Sequence, residues 1–107
     1  MVEFGDVRDL AVALPDVDEG TWYGSPAFRI GKRVFARLHE NDADLFLIKV
    51  GPDERDALVA MHPERFLATE HRSEKEESVL MRLSATSPED LAEVGELLAD
   101  AHRRVRG

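Results

Sequence analysis

The stretch that decides the fold is Thr21–Glu40, TWYGSPAFRIGKRVFARLHE. Two apolar runs, Pro26–Ile30 and Lys32–His39, are separated by a glycine-led turn, and each alternates with the two-residue period of a strand. A three-residue turn, Gly31-Lys32-Arg33, sets Ile30 against Val34 and Phe28 against Ala36, so that the apolar sides coincide. The polar turn HENDAD then leads to a third run, Leu45–Val50, and pairing Phe46 with Leu38 and Ile48 with Ala36 continues the same face. Three antiparallel strands with one apolar side require a layer of helices on that side.

The rest of the chain supplies those helices. Phe4, Val7, Leu10, Ala11 and Leu14 recur at helical spacing until Pro15 ends the pattern. A second helix starts at GPDERDALVAMHP, where Pro52 suits the first turn and Asp53 and Glu54 suit the positive helix end. Leu58 and Met61 provide its core contact, and Pro63 stops it. Two short strands, Arg65–Thr69 and Val79–Ala85, flank the charged turn EHRSEKEES. The last helix opens on SPED, with Ser87 as N-cap, Pro88 at N1 and Asp90 at N3. It buries Leu91, Val94, Leu98, Ala101 and Val105, and Arg103, Arg104 and Arg106 compensate its negative end. The expected fold is a two-layer α+β domain over residues 1–107, with an antiparallel sheet, helices on one face and the order α-β-β-β-α-β-β-α.

Composition bounds the function. The chain has 107 residues, a net charge of −8, 43% hydrophobic residues and no cysteine. It is long enough to hold a core unaided, and it offers no disulfide framework, thiolate metal site or thiol nucleophile. The N-terminus has neither the charge order nor the apolar run of a signal peptide, and no stretch approaches the ~20 apolar residues of a membrane span. A cytoplasmic protein without membrane contact is expected. The four histidines, His39, His62, His71 and His102, have no metal-ligand spacing. No serine lies in a nucleophile elbow, and the glycines are spaced as turns rather than as a phosphate-binding loop. No enzyme, cofactor or metal site is therefore expected.

The order LP-V-E, G-WYG-PAF-I-GK-FA, PDERDALVA, P--F---H and VLMRL resembles the MmcQ/YjbR family of small bacterial proteins. The resemblance rests on Leu14-Pro15, Glu19, Gly20, Trp22, Gly24, Pro26, Phe28, Gly31-Lys32, Phe35-Ala36, Pro52, Pro63 and His71, and covers nearly the whole chain. It implies a two-layer α+β fold similar to secretion chaperones and frataxin-like proteins, and a DNA-binding function through two hairpin wings. Many relatives carry a tryptophan where Ser78 stands here. Helix one has only Glu3, Asp6 and Asp9, fewer acids than a frataxin-like iron surface needs.

Charge weighs against the wings as DNA contacts. HENDAD carries Glu40, Asp42 and Asp44 with no base, and EHRSEKEES is net acidic, so both tips repel phosphates. The basic residues lie in the opening hairpin instead. The alternation places Arg29, Phe35, Arg37, His39, Leu45, Leu47 and Lys49 on the sheet face away from the helices. A non-enzymatic binding module is the expected function. The candidate binding residues are Trp22, Tyr23, Arg29, Lys32, Phe35, Arg37 and His39, and they take either DNA or a protein partner, including a second copy of the chain.

Overall fold

A computed structural model describes residues 1–68 and 77–106. The elements follow as α1 (Phe4–Val12), β1 (Asp18–Trp22), β2 (Ser25–Ile30), β3 (Arg33–Leu38), β4 (Leu45–Lys49), α2 (Pro52–Met61), β5 (Phe66–Leu67), β6 (Ser78–Arg82) and α3 (Leu91–Arg106). The strands form one antiparallel sheet in the order β1-β2-β3-β4-β6-β5, and the helices share a single core on one of its faces. This is the expected two-layer α+β fold, with one further strand, β1, at the front of the sheet. The turn EHRSEKEES with His71 and the end of the expected strand at Thr69 lie outside the described residues, apart from Glu77 and Ser78.

The core is built from the alternation and the helical stripes. Phe28, Phe46, Ile48, Val79 and Met81 project from the sheet onto Val7 and Ala11 of α1 and Val94, Leu98 and Ala101 of α3, all fully buried. Each of the larger of these side chains, alanine excepted, contributes about 1.5–3 kcal/mol relative to exposure. The pairs Leu38–Phe46 and Ala36–Ile48 stand opposite one another as the alternation requires. In α2 the stripe differs. Met61 is exposed, and Leu58 and Val59 are the residues that reach the core, because the helix turns its last residue outward.

The cap of α3 forms as expected. Asp90 Oδ2 accepts the Ser87 backbone N–H at 2.9 Å and lies 3.0 Å from the Ser87 hydroxyl. The first turn, Pro88–Asp90, is a tight 3-10 turn that runs directly into the helix. The fifth expected strand ends at Arg82, and Leu83–Ala85 form another 3-10 turn. Asp44, from the HENDAD turn, holds that turn by accepting Ser84 N–H at 2.8 Å and the Ser84 hydroxyl at 2.6 Å.

The first hairpins depart from the expected register. The β2–β3 turn has two residues, Gly31-Lys32, so Arg33 pairs with Ile30 and Val34 with Arg29. Gly31 takes φ 60°, a conformation glycine adopts without steric cost. Phe28 nevertheless pairs with Ala36, which leaves Phe35 as an extra residue on β3. This is a β-bulge. It turns Phe35 inward beside Ala36, so both are fully buried and Val34 takes the outer face. Phe35 is a core residue whose ring meets His102 edge-on, with centroids 5.7 Å apart. The buried His102 in turn places Nε2 2.6 Å from the Pro15 carbonyl, tying α3 to the end of the first helical segment.

Candidate binding site on the open sheet face

The face opposite the helices carries a groove of about 260 Å³ lined by Trp22, Lys32, Val34, Arg37, Leu47 and Lys49. Its position follows from the register. Arg37 stands opposite Leu47 on one side and Ala27 on the other, and Ala27 is paired with Gly20. The small residues leave room at the β1 side for longer side chains. Arg29 occupies part of it: its guanidinium lies against Gly20, where a Cβ would come within 3.3 Å, and it donates to the Thr21 carbonyl. Its buried Nε has no hydrogen-bond partner among the described residues.

Arg37 donates from Nη1 to Glu40 Oε2 at 2.5 Å. That hydrogen bond is the main reason the Glu40 carboxyl sits below the ordinary carboxylate range, with the turn backbone adding to it. A lowered folded-state value means the ionised pair stabilises the fold in full above the unfolded glutamate value of about 4.3, and the contribution disappears as pH falls through the lower folded value. Glu40→Gln is therefore expected to lose no more than about 1 kcal/mol near neutral pH, because the pair is partly solvated. Urea unfolding of both proteins should converge as pH drops through that window.

Lys32 is exposed and Lys49 half-buried, and neither has an ion-pair partner among the described residues. Glu54 and Asp100 line a separate depression on the far side of Lys49, shared with Arg104. The indole of Trp22 is 41% exposed, and Tyr23 beside it is 78% exposed, their rings edge-to-face at 5.5 Å. The groove thus combines an aromatic surface with ammonium and guanidinium groups. Its lining contains no hydroxyl, thiol, imidazole or carboxylate.

Of the seven residues expected from the sequence, Trp22, Lys32 and Arg37 line this groove, Tyr23 stands on the adjoining hairpin tip, and Arg29 lies along β1. Phe35 and His39 do not belong to it. Phe35 is in the core, and His39 Nδ1 accepts the Asn41 backbone N–H within the β3–β4 turn. Lys49 is legible as an open-face residue, and its place in the groove lining marks it as part of the site. Strict alternation puts Val34 on the core side; the sequence signal for its true place is the unbroken apolar run Val34-Phe35-Ala36, which interrupts that alternation.

Among the described residues no cluster of three or more histidine or acidic side chains is arranged to hold a metal ion, and no helix is long and apolar enough to cross a membrane. The YjbR family model matches residues 12–104. No curated protein matches the chain at a significant level. The crystal structure of a Deinococcus radiodurans protein with a DUF419 domain is similar at a TM-score of 0.77 and 23% identity, over 95% of this chain and 77% of that one. That likeness shows the fold.

Proposed function

The chain belongs to the YjbR family, and from that premise we propose that it is a non-enzymatic binding module whose open sheet face holds nucleic acid, in keeping with the family's DNA-binding description. The observation that carries this reading is the exposed Trp22 among Lys32, Arg37 and Lys49, in a chain whose net charge is −8. Overall acidity repels a polyanion at long range. A local patch still acts within the ~8 Å Debye length at physiological salt. Two lysines without an ion-pair partner among the described residues offer their charge to phosphate, and an exposed indole offers a base a stacking surface. Of the acids in the neighbouring turn, Glu40 is paired with Arg37, and Asp44 is turned to Ser84; the net positive charge of the groove therefore rests on Lys32 and Lys49. A lining of aromatic, aliphatic and cationic side chains, with no carboxylate, imidazole, hydroxyl or thiol to pair with the lysines, supports binding rather than catalysis.

Association with a protein or a second copy across the same face is the alternative, and it has less support. Phe35, the aromatic residue that strict alternation would offer such a partner, is buried. Leu47 and Leu80, on the same face, are nearly buried as well.

Fluorescence anisotropy of labelled DNA against wild type and the Lys32→Glu/Lys49→Glu variant tests the reading. The variant should lose at least about tenfold in affinity, and its log K against log salt slope should fall by about 2 as two phosphate contacts vanish. Its unfolding free energy should stay within about 1 kcal/mol of wild type, since neither lysine has an ion-pair partner among the described residues. Equal affinity and equal salt slope in the two proteins would refute the assignment.

A further inference from the structure

Tyr23 occupies a position that its side chain does not favour. Trp22 pairs with Ser25, so the β1–β2 hairpin turns on two residues, Tyr23 and Gly24, with φ 53° and 81°. A turn with positive φ at both central positions is the type I′ hairpin turn, for which Asn-Gly and Asp-Gly are the favoured pairs. A bulky residue in the left-handed region is an outlier that carries a local steric cost. The fold gains little in exchange. The Tyr23 ring is 78% exposed, and among the described residues its aromatic neighbour is Trp22, itself 41% exposed. A strained, exposed side chain at the mouth of a cationic groove is the pattern of a recognition residue.

We infer that the groove binds single-stranded rather than duplex nucleic acid, with bases stacking on the Trp22–Tyr23 tip and phosphates on Lys32, Arg37 and Lys49. The inference rests on the nucleic-acid reading above and narrows it. The two rings stand at 83° to one another, so they offer flat surfaces in different directions at one hairpin tip. Bases paired within a duplex are not free to leave their stack for such surfaces, whereas every unpaired base has an exposed π-face. The charge balance agrees. A few phosphates are matched by the local cations, while a rigid duplex would bring many more against a surface of net charge −8.

The test compares an oligothymidylate of about twenty nucleotides, long enough for a single-strand site of ~4–16 nucleotides, with a duplex of equal length and with thymidine monophosphate. Wild type should bind the single strand at least about tenfold more tightly than the duplex. Tyr23→Asn, which supplies the preferred turn residue, should keep or raise the melting temperature and lose about 5- to 150-fold in single-strand affinity, the range for one stacking contact. Tyr23→Phe should retain the affinity. Duplex binding equal to or tighter than single-strand binding would overturn the inference and leave the binding face standing. So would unchanged affinity in Tyr23→Asn. Thymidine monophosphate binding as tightly as the oligonucleotide would reduce the site to one nucleotide and overturn the strand reading. Failure of all three probes to bind would overturn the face as well.

Discussion

Phe35→Ala should destabilise the protein by about 3–5 kcal/mol, the usual range for truncating a buried aromatic residue. The ring is fully buried, packs edge-on to His102 of α3, and belongs to the same cluster as Phe28 and Phe46. Its loss removes both transfer free energy and part of the contact between β3 and α3. A small domain has only about 5–15 kcal/mol of total stability, so denaturant unfolding should show a large fall in midpoint. The same experiment tests the bulge. Strict alternation along β3 would put Phe35 on the open face, where truncation costs about 0.5 kcal/mol or less. Val34→Ala is the control, because the bulge makes Val34 half-buried and its loss correspondingly smaller.

Glu93→Ala should cost about 2–3 kcal/mol, through the charge it leaves behind. Arg65 is only 3% exposed and lies 4.8 Å from the Phe66 ring centroid. Its guanidinium is 2.9 Å from Glu93 and 3.5 Å from Asp90, at the start of α3. One of its nitrogens, Nη1, already has no hydrogen bond among the described residues. Removing Glu93 leaves a buried cation with the more distant Asp90 alone, and an uncompensated buried charge normally costs 3–5 kcal/mol, about the upper bound here. Removing the arginine is different. In Arg65→Met the acids that remain are partly solvated and sit at a helix N-terminus, where negative charge is favourable, and the methionine can fill the space beside Phe66. That variant should lose less than Glu93→Ala, by about 1 kcal/mol. Equal losses would mean that the pair is more hydrated than its burial implies.

The contrast between these two sites shows what the sequence could convey. Helices α1 and α3 were legible because a 3.6-residue stripe, a proline stop and a Ser-Pro-Glu-Asp cap agree in each local choice. The pairing of β3 with β4 was legible for the same reason: four apolar residues fix it to one register. Strand β1 was not, because DEGTW is an edge strand with four of its five residues exposed, and its apolar signal is absent. What holds it is pairing to β2 and the Arg8–Glu19 ion pair at 2.9 Å, both long-range facts. The bulge at Phe35 was hidden because a three-residue turn without a bulge and a two-residue turn with one both bring Phe28 to Ala36. The places of Arg33, Val34 and Phe35 differ between them, Arg33 moving from the turn into the strand opposite Ile30. Buried Arg65 was invisible since its partners lie across the chain on α3.

The candidate site divides along the same line. Trp22, Lys32 and Arg37 follow from residue type and strand register, which the turn and bulge leave intact at those positions. Tyr23 follows from adjacency, but its positive φ does not, and that conformation turns an exposed aromatic residue into a sign of recognition. His39 failed because a turn backbone N–H occupies its ring nitrogen.

Trp22 is the sole tryptophan of the chain, which makes its fluorescence a direct report on the groove. Titrating wild type with oligothymidylate should quench and saturate that emission, with an apparent affinity that weakens steeply as salt rises from 50 to 200 mM, by about tenfold or more. The Lys32→Glu/Lys49→Glu variant should show the same starting spectrum and no saturable quenching in the same range. Emission from wild type that is indifferent to nucleic acid at low salt, or quenching that survives in the charge-reversed variant, would contradict the assignment of the open sheet face as the binding site.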